Sequence, residues 1–162
     1  MTQNVYYGPD QSDTDLRFWR VFSDTHVEWK NGPWTLAVAY DIGMEQAVEQ
    51  TDHPGQFWTS GVVFVRWNIS RPWSLGFRPE VYWDRDGRLT GARQLITAVT
   101  STVDYKISLG RQTRLFRLEY RFDRSTGPEG GYFKGGEIAP GIIGLTLHQN
   151  LLILGLLWWF DS

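Results

Sequence analysis

Apolar and polar residues alternate with period two along most of this chain. From Leu115 to Asp123, Phe116, Leu118, Tyr120 and Phe122 take one parity, and Arg117, Glu119, Arg121 and Asp123 take the other. A side-chain period of two belongs to a β-strand. The segment is therefore predicted as a strand with an aromatic face and a charged face. Two homes suit it: a soluble sheet with its charges in water, or a membrane barrel with its apolar face toward lipid and its charges inside.

The same alternation recurs between turn signals. Leu16–Lys30 is predicted as a strand, closed by the tight turn Asn31-Gly32-Pro33. Trp34–Gln46, Phe57–Ile69, Trp73–Asp84, Gln94–Ile107, Thr113–Asp123 and Leu145–Phe160 follow. Asn4–Tyr7 supplies an N-terminal eighth strand, as an even count requires. The connections alternate: short at Asn31–Pro33, Ser70–Pro72 and Ser108–Arg111, long at Val48–Gln56, Arg85–Gly91 and Arg124 to about Gly144. Short turns on one rim and long loops on the other are how outer-membrane barrels are built. Pro79 lies mid-strand and removes a ladder hydrogen bond, so a bulge or bend is expected there. The fold class expected is all-β: a single domain over residues 1–162, an eight-stranded antiparallel up-and-down transmembrane β-barrel.

Composition sharpens this choice. The 162 residues include 9 Trp, carry a formal net charge of −2, and contain no Cys. The charge points to no nucleic-acid partner, and thiolate chemistry is excluded. No apolar run reaches the ~18 residues of a spanning helix, which does not count against strands that give lipid only every second residue. Met1-Thr2-Gln3-Asn4 leads straight into the sequence without a signal peptide, so a natural leader replaced by Met1 is expected.

The faces then sort by role. Trp29, Trp34, Trp67 and Trp73 fall beside the short turns, and Tyr40, Trp83, Tyr120 and Phe122 toward the long loops; Tyr105, Trp158 and Phe160 join them as interface aromatics. Aromatic residues at both strand ends are expected at the two lipid interfaces. The opposite parity carries Arg20, Asp24, His26, Glu28, Arg66, Arg78, Glu80, Asp104, Lys106, Arg117, Glu119 and Arg121, expected to line the lumen and pair across strands. In the last strand Leu152, Leu154, Leu156, Trp158 and Phe160 alternate toward the C-terminus, like an assembly signal for outer-membrane barrels; Asp161-Ser162 after Phe160 departs from that pattern.

Leu118-Glu119-Tyr120-Arg121-Phe122-Asp123-Arg124-Ser125, Gly130-Gly131-Tyr132-Phe133, Leu156-Leu157-Trp158-Trp159-Phe160-Asp161-Ser162 and Val5-Tyr6-Tyr7-Gly8-Pro9 resemble segments of the OmpL-like outer-membrane β-barrel porins of Gram-negative bacteria. The resemblance implies an outer-membrane location and passive solute diffusion. The family's members are larger barrels, so the chain would match their last strands, as a shortened, engineered or small natural relative.

Candidate chemistry is sparse. His53 falls in a loop; His26 or His148 could join Ser23 or Ser60 in a hydrolase, and Glu80, Asp84 and Asp86 could hold Ca²⁺. A lumen hydrogen-bond network and an ordinary loop tip account for them more simply, so no catalytic, metal or cofactor site is expected. Eight strands leave a bore just wide enough for side chains to fill. The function expected is a non-catalytic, membrane-embedded scaffold or minimal barrel with a lumen filled by paired charges; the alternatives are a porin-like diffusion channel and a lipid-modifying barrel enzyme. Expected partners are outer-membrane lipid or detergent and the barrel-assembly machinery through the C-terminal strand, with the chain itself a monomer.

Overall fold

The computed structural model describes residues 1–9, 18–46, 55–127, 131–139 and 142–160. Ten strands form: β1 (Thr2–Pro9), β2 (Trp19–Asn31), β3 (Trp34–Gln46), β4 (Gly55–Ser70), β5 (Trp73–Asp84), β6 (Gln94–Leu109), β7 (Gln112–Ser125), β8 (Tyr132–Ala139), β9 (Ile142–Thr146) and β10 (His148–Phe160). Eight of them make one antiparallel meander in the order β1-β2-β3-β4-β5-β6-β7-β10, and β8 and β9 pair as a separate hairpin. The eight-strand count and their order agree with the sequence pattern.

Three differences stand out. The connection after β7 is not a plain glycine loop but contains the β8–β9 hairpin, so the last strand of the sheet starts at His148 rather than Leu145. Gly131, at a φ of +134°, opens that hairpin. Pro79 makes no bulge. The β4–β5 ladder skips the pairs beside Pro79, which has no N–H to give, and resumes in the same register at Val65 and Phe77. The irregularity lies instead between Asn68 and Ser70, at the turn. Finally, no ladder joins β1 to β10 among the described residues. Leu16, Arg17, Asp10, the His53-Pro54 part of the Val48–Gln56 loop, Gly130 and Asp161-Ser162 lie outside the described residues.

The register carries a steady stagger. Partner to partner, one line runs from Thr2 through His26, Ala39, Val62, Glu80, Ala98 and Asp123 to Gln149. On β2 this line stands five residues from the turn, His26 against Asn31; on β7 it stands eleven away, Asp123 against Gln112. Six residues at ~3.3 Å each is about 20 Å of stagger, over five interstrand gaps of ~4.8 Å. The strands therefore lean by about 40° from the normal to the rim, inside the ~35–45° range of barrel walls.

Candidate functional site

Alternation and register give this sheet two unlike faces. On the apolar face, rings meet in pairs near both ends of the strands. At the short-turn end Trp34 stacks on Trp67 with centroids 5.3 Å apart, Trp73 meets Tyr105 edge-on at 4.6 Å, and Trp158 lies 5.3 Å from Phe160. Trp29 shares that end and that face. At the long-loop end Tyr7 stacks on Trp19 at 4.8 Å, Phe57 meets Trp83 at 5.9 Å, and Phe122 lies 6.5 Å from His148. The Tyr120 hydroxyl donates to Asn150 Oδ1 at 2.6 Å. Tyr7, Trp19 and Phe57 extend the set of aromatics anticipated from sequence. The large side chains of this face, from Leu36, Val38 and Tyr40 to Leu154 and Leu156, are exposed.

The charged face carries three arginine–carboxylate clusters at rising distance from the short turns. Lowest is Asp104 on β6, which accepts from Arg117 Nε at 2.8 Å and Nη2 at 3.0 Å and lies 3.4 Å from Arg66 Nη2. Arg66 also donates to Ser74 at 2.9 Å. Next, Glu80 accepts from Arg78 and from Arg121 Nη1 at 2.8 Å, and Arg121 Nε donates to Asp123 at 2.8 Å. Highest is Glu45, bound by Arg20 Nε at 2.9 Å and by Arg88 from the β5–β6 loop. Each bridge joins residues on one strand, on neighbouring strands, or one strand further; the loop residue Arg88 reaches across β4 to β3.

The other anticipated polar residues share the face and pair locally. Asp24 accepts the Asn4 amide at 2.9 Å, Glu28 pairs with Lys30 at 2.7 Å, Glu119 accepts from Thr102 at 3.1 Å, and the Lys106 ammonium sits 5.4 Å from the Trp159 ring centre. His26 lies level with Ala39 on this face. β10 departs from the charged pattern: Leu151, Ile153, Leu157 and Trp159 make its share of the face apolar.

At the long-loop end, the charged face holds a small buried core that sequence reasoning missed. Trp58 is 3% exposed and its indole packs against Gly43, with the Arg20 guanidinium 5.5 Å from its ring centre. Around it Glu45, Gln56, Asp84, Gln94, Asp123 and Ser125 are buried. The β5–β6 loop folds over this core. Asp84 accepts from the backbone N–H groups of Arg88, Leu89 and Thr90 at 2.8–2.9 Å and from the Thr90 hydroxyl at 3.0 Å. Gly87 and Gly91 make the turns at φ of +74° and +78°, where a side chain would be strained. Asp86 accepts from Phe57 N–H and from Arg85, both at 2.8 Å. Burial raises its carboxyl pKa, but these two donors outweigh burial and hold it below the ordinary value. Burial, then the nearby Asp123 carboxylate, raise the pKa of the Tyr132 hydroxyl at the start of β8. A signal for this core existed in the alternation, since Trp58 has the parity of polar Gln56 and Ser60.

The side chains considered for a hydrolase or for Ca²⁺ take separate places among the described residues. Ser23 falls on the apolar face and His26 on the charged one, and the Ser60 hydroxyl donates to Asp41 at 2.8 Å. The three carboxylates considered for Ca²⁺ are held by arginines or by loop backbone, and no cluster of three metal-ligating side chains is found among the described residues.

A two-faced, aromatic-belted, strongly staggered antiparallel sheet is what a transmembrane barrel wall requires. Residues 1–158 match the model of the protein family described as "Putative beta-barrel porin-2, OmpL-like". The chain belongs to this family. No curated protein and no solved structure matches it. Membership agrees with the resemblance carried by the β7 and β10 segments, and extends it from those motifs to nearly the whole chain.

Proposed function

We propose that this sheet is the wall of an outer-membrane diffusion channel, through which small hydrophilic solutes pass without catalysis. The observation that carries the reading is the lateral pairing of the charged face. Asp104, Glu80, Asp123 and Glu45 all find their guanidinium partners within the same wall. A filled narrow barrel satisfies its charges across the lumen; a wall that satisfies them by itself can face water. The opposite face meets lipid, with Trp29, Trp34, Trp67, Trp73, Tyr105, Trp158 and Phe160 at one interface and Trp83, Tyr120 and Phe122 at the other. The alternating apolar residues of β10 suit handling by the barrel-assembly machinery.

Backbone groups cannot stay unpaired in hydrocarbon, where each costs several kcal/mol. The edges of β1 and β10 must therefore be covered in the membrane. In the channel reading, further strands widen the wall across these edges. The buried core under the β5–β6 loop favours a second reading, in which β1 and β10 close on each other and the narrow bore is filled. The stagger makes the difference measurable. Carried over eight gaps it amounts to about ten residues, an even number as matching faces demand, which would set Thr2 opposite Trp159 and Val5 opposite Leu156. The chain has no native Cys, so Val5→Cys with Leu156→Cys reports closure directly.

The experiment is a current recording from the refolded protein in planar bilayers, beside oxidation of the double-cysteine variant. Steady open-channel current without an intrachain disulfide is expected. Baseline current with rapid intrachain cross-linking would replace the channel by the filled eight-stranded scaffold.

A further inference from the structure

The bridges on the charged face share an asymmetry. Glu45, Asp104 and Asp123 have side chains only 1%, 4% and 3% exposed, while their arginines, Arg20, Arg66, Arg88, Arg117 and Arg121, are 23% to 45% exposed. The carboxylates lie against the wall and the guanidiniums stand in front of them. Glu80, shared by Arg78 and Arg121, follows the same order less sharply. Six arginines thus stand over four carboxylates in the three clusters, although the whole chain carries −2. A largely apolar-lined hollow of about 360 Å³, with Phe64 and Leu75 in its wall, also brings together Arg66, Arg78, Arg117 and Asp104.

We propose that these clusters form an anion track along the wall: Arg66 with Arg117, then Arg78 with Arg121, then Arg20 with Arg88, rising from the short-turn rim to the long-loop rim. The inference rests on the channel reading and names its solute class, small oxyanions. A guanidinium presents five N–H donors in a planar fork that matches carboxylate and phosphate oxygens. Arg117 uses Nε and Nη2 on Asp104, and Nη1 takes no part in that bridge. The buried carboxylate holds each pair of guanidiniums in place and, screened by them, repels a passing anion less than an exposed acid would. Three stations, each partly neutralised, keep any one from binding so tightly that it blocks passage, which conduction requires. The acids that oppose the track, exposed Glu28 and half-buried Asp24 and Asp41, stand on β2 and β3, and half-buried Glu119 lies between Arg117 and Arg121 on β7.

The test is the reversal potential of the refolded protein in a neutral-lipid planar bilayer under a KCl gradient, with inorganic phosphate then added to one side. Chloride preference and a phosphate-induced fall in chloride current are expected. Arg66→Gln with Arg117→Gln should lower the chloride-to-potassium permeability ratio about twofold or more and weaken the phosphate effect; Arg66→Lys with Arg117→Lys should keep the preference for chloride. Strand-rich circular dichroism of each variant establishes that it has folded, and Asp104→Asn provides a second readout, raising the ratio. Potassium preference, or a ratio indifferent to all these changes, overturns the anion track while leaving the channel intact. Absence of current overturns both.

Discussion

Gly43→Ala is the most revealing single change at the long-loop end. A Cβ on Gly43 would overlap Cε2, Cζ2 and Nε1 of the Trp58 indole, which packs against that backbone. These atoms belong to a rigid ring rather than to the end of a flexible chain, and the ring is 3% exposed, so it has little room to retreat. Overpacking of this kind costs about 1–3 kcal/mol. Displacing the indole also removes the Arg20 guanidinium from its face, at 5.5 Å now, worth about 0.5–1 kcal/mol more at a partly exposed site. Less the gain of Ala over Gly in a strand, a net loss of about 1–3 kcal/mol is expected. The same methyl in a Trp58→Ala background should reverse sign, because Gly within a strand is about 0.5–1 kcal/mol worse than Ala once nothing occupies its face. Urea unfolding in detergent micelles of the two single variants and the double variant measures the coupling. Gly43→Ala leaving the stability unchanged, or raising it, in the otherwise unmodified protein would show that Trp58 does not sit on Gly43.

Val38→Arg, mid-strand on the apolar face, should cost about 2–4 kcal/mol in lipid, whereas Leu109→Arg beside a short turn should cost about 0–1; equal losses in lipid-vesicle unfolding would refute the face assignment. Asp84→Ala should free the β5–β6 loop by stranding the N–H groups of Arg88, Leu89 and Thr90, seen as faster proteolytic nicking within Arg85–Arg93 while the strands stay protected. Asp86, whose carboxyl pKa is depressed in the folded protein, should contribute stability that is fully present above its unfolded value of about 4 and is lost as pH falls through the lower folded value. The stability difference from Asp86→Asn should then be constant near pH 6 and shrink below about pH 4; a difference that does not shrink there refutes it.

What the chain's order of residues determined by itself is local. The period-two alternation of Leu115–Asp123 or Trp73–Asp84 matches the side-chain period of a strand, so it settles strand type and the composition of each face without any knowledge of neighbours. Asn31-Gly32-Pro33 and the two other short connections likewise imply the antiparallel meander, and the observed order of strands follows them. What only the tertiary structure decided depends on register and curl. Which guanidinium meets which carboxylate requires strands two apart to approach, as Arg66 does Asp104 and Arg121 does Glu80. That Trp58 would face Gly43 depends on the register across a long connection, which no local pattern sets. The inward fold of Arg88 onto Glu45 needs the loop, β3 and β4 in place together. The β8–β9 hairpin hides in a glycine-rich stretch whose alternation is too broken to read. Which charge faces the open side is a matter of which side chain lies nearer the backbone: the short carboxylates stay against the wall and the long arginines reach past them, and only the assembled sheet makes that order visible.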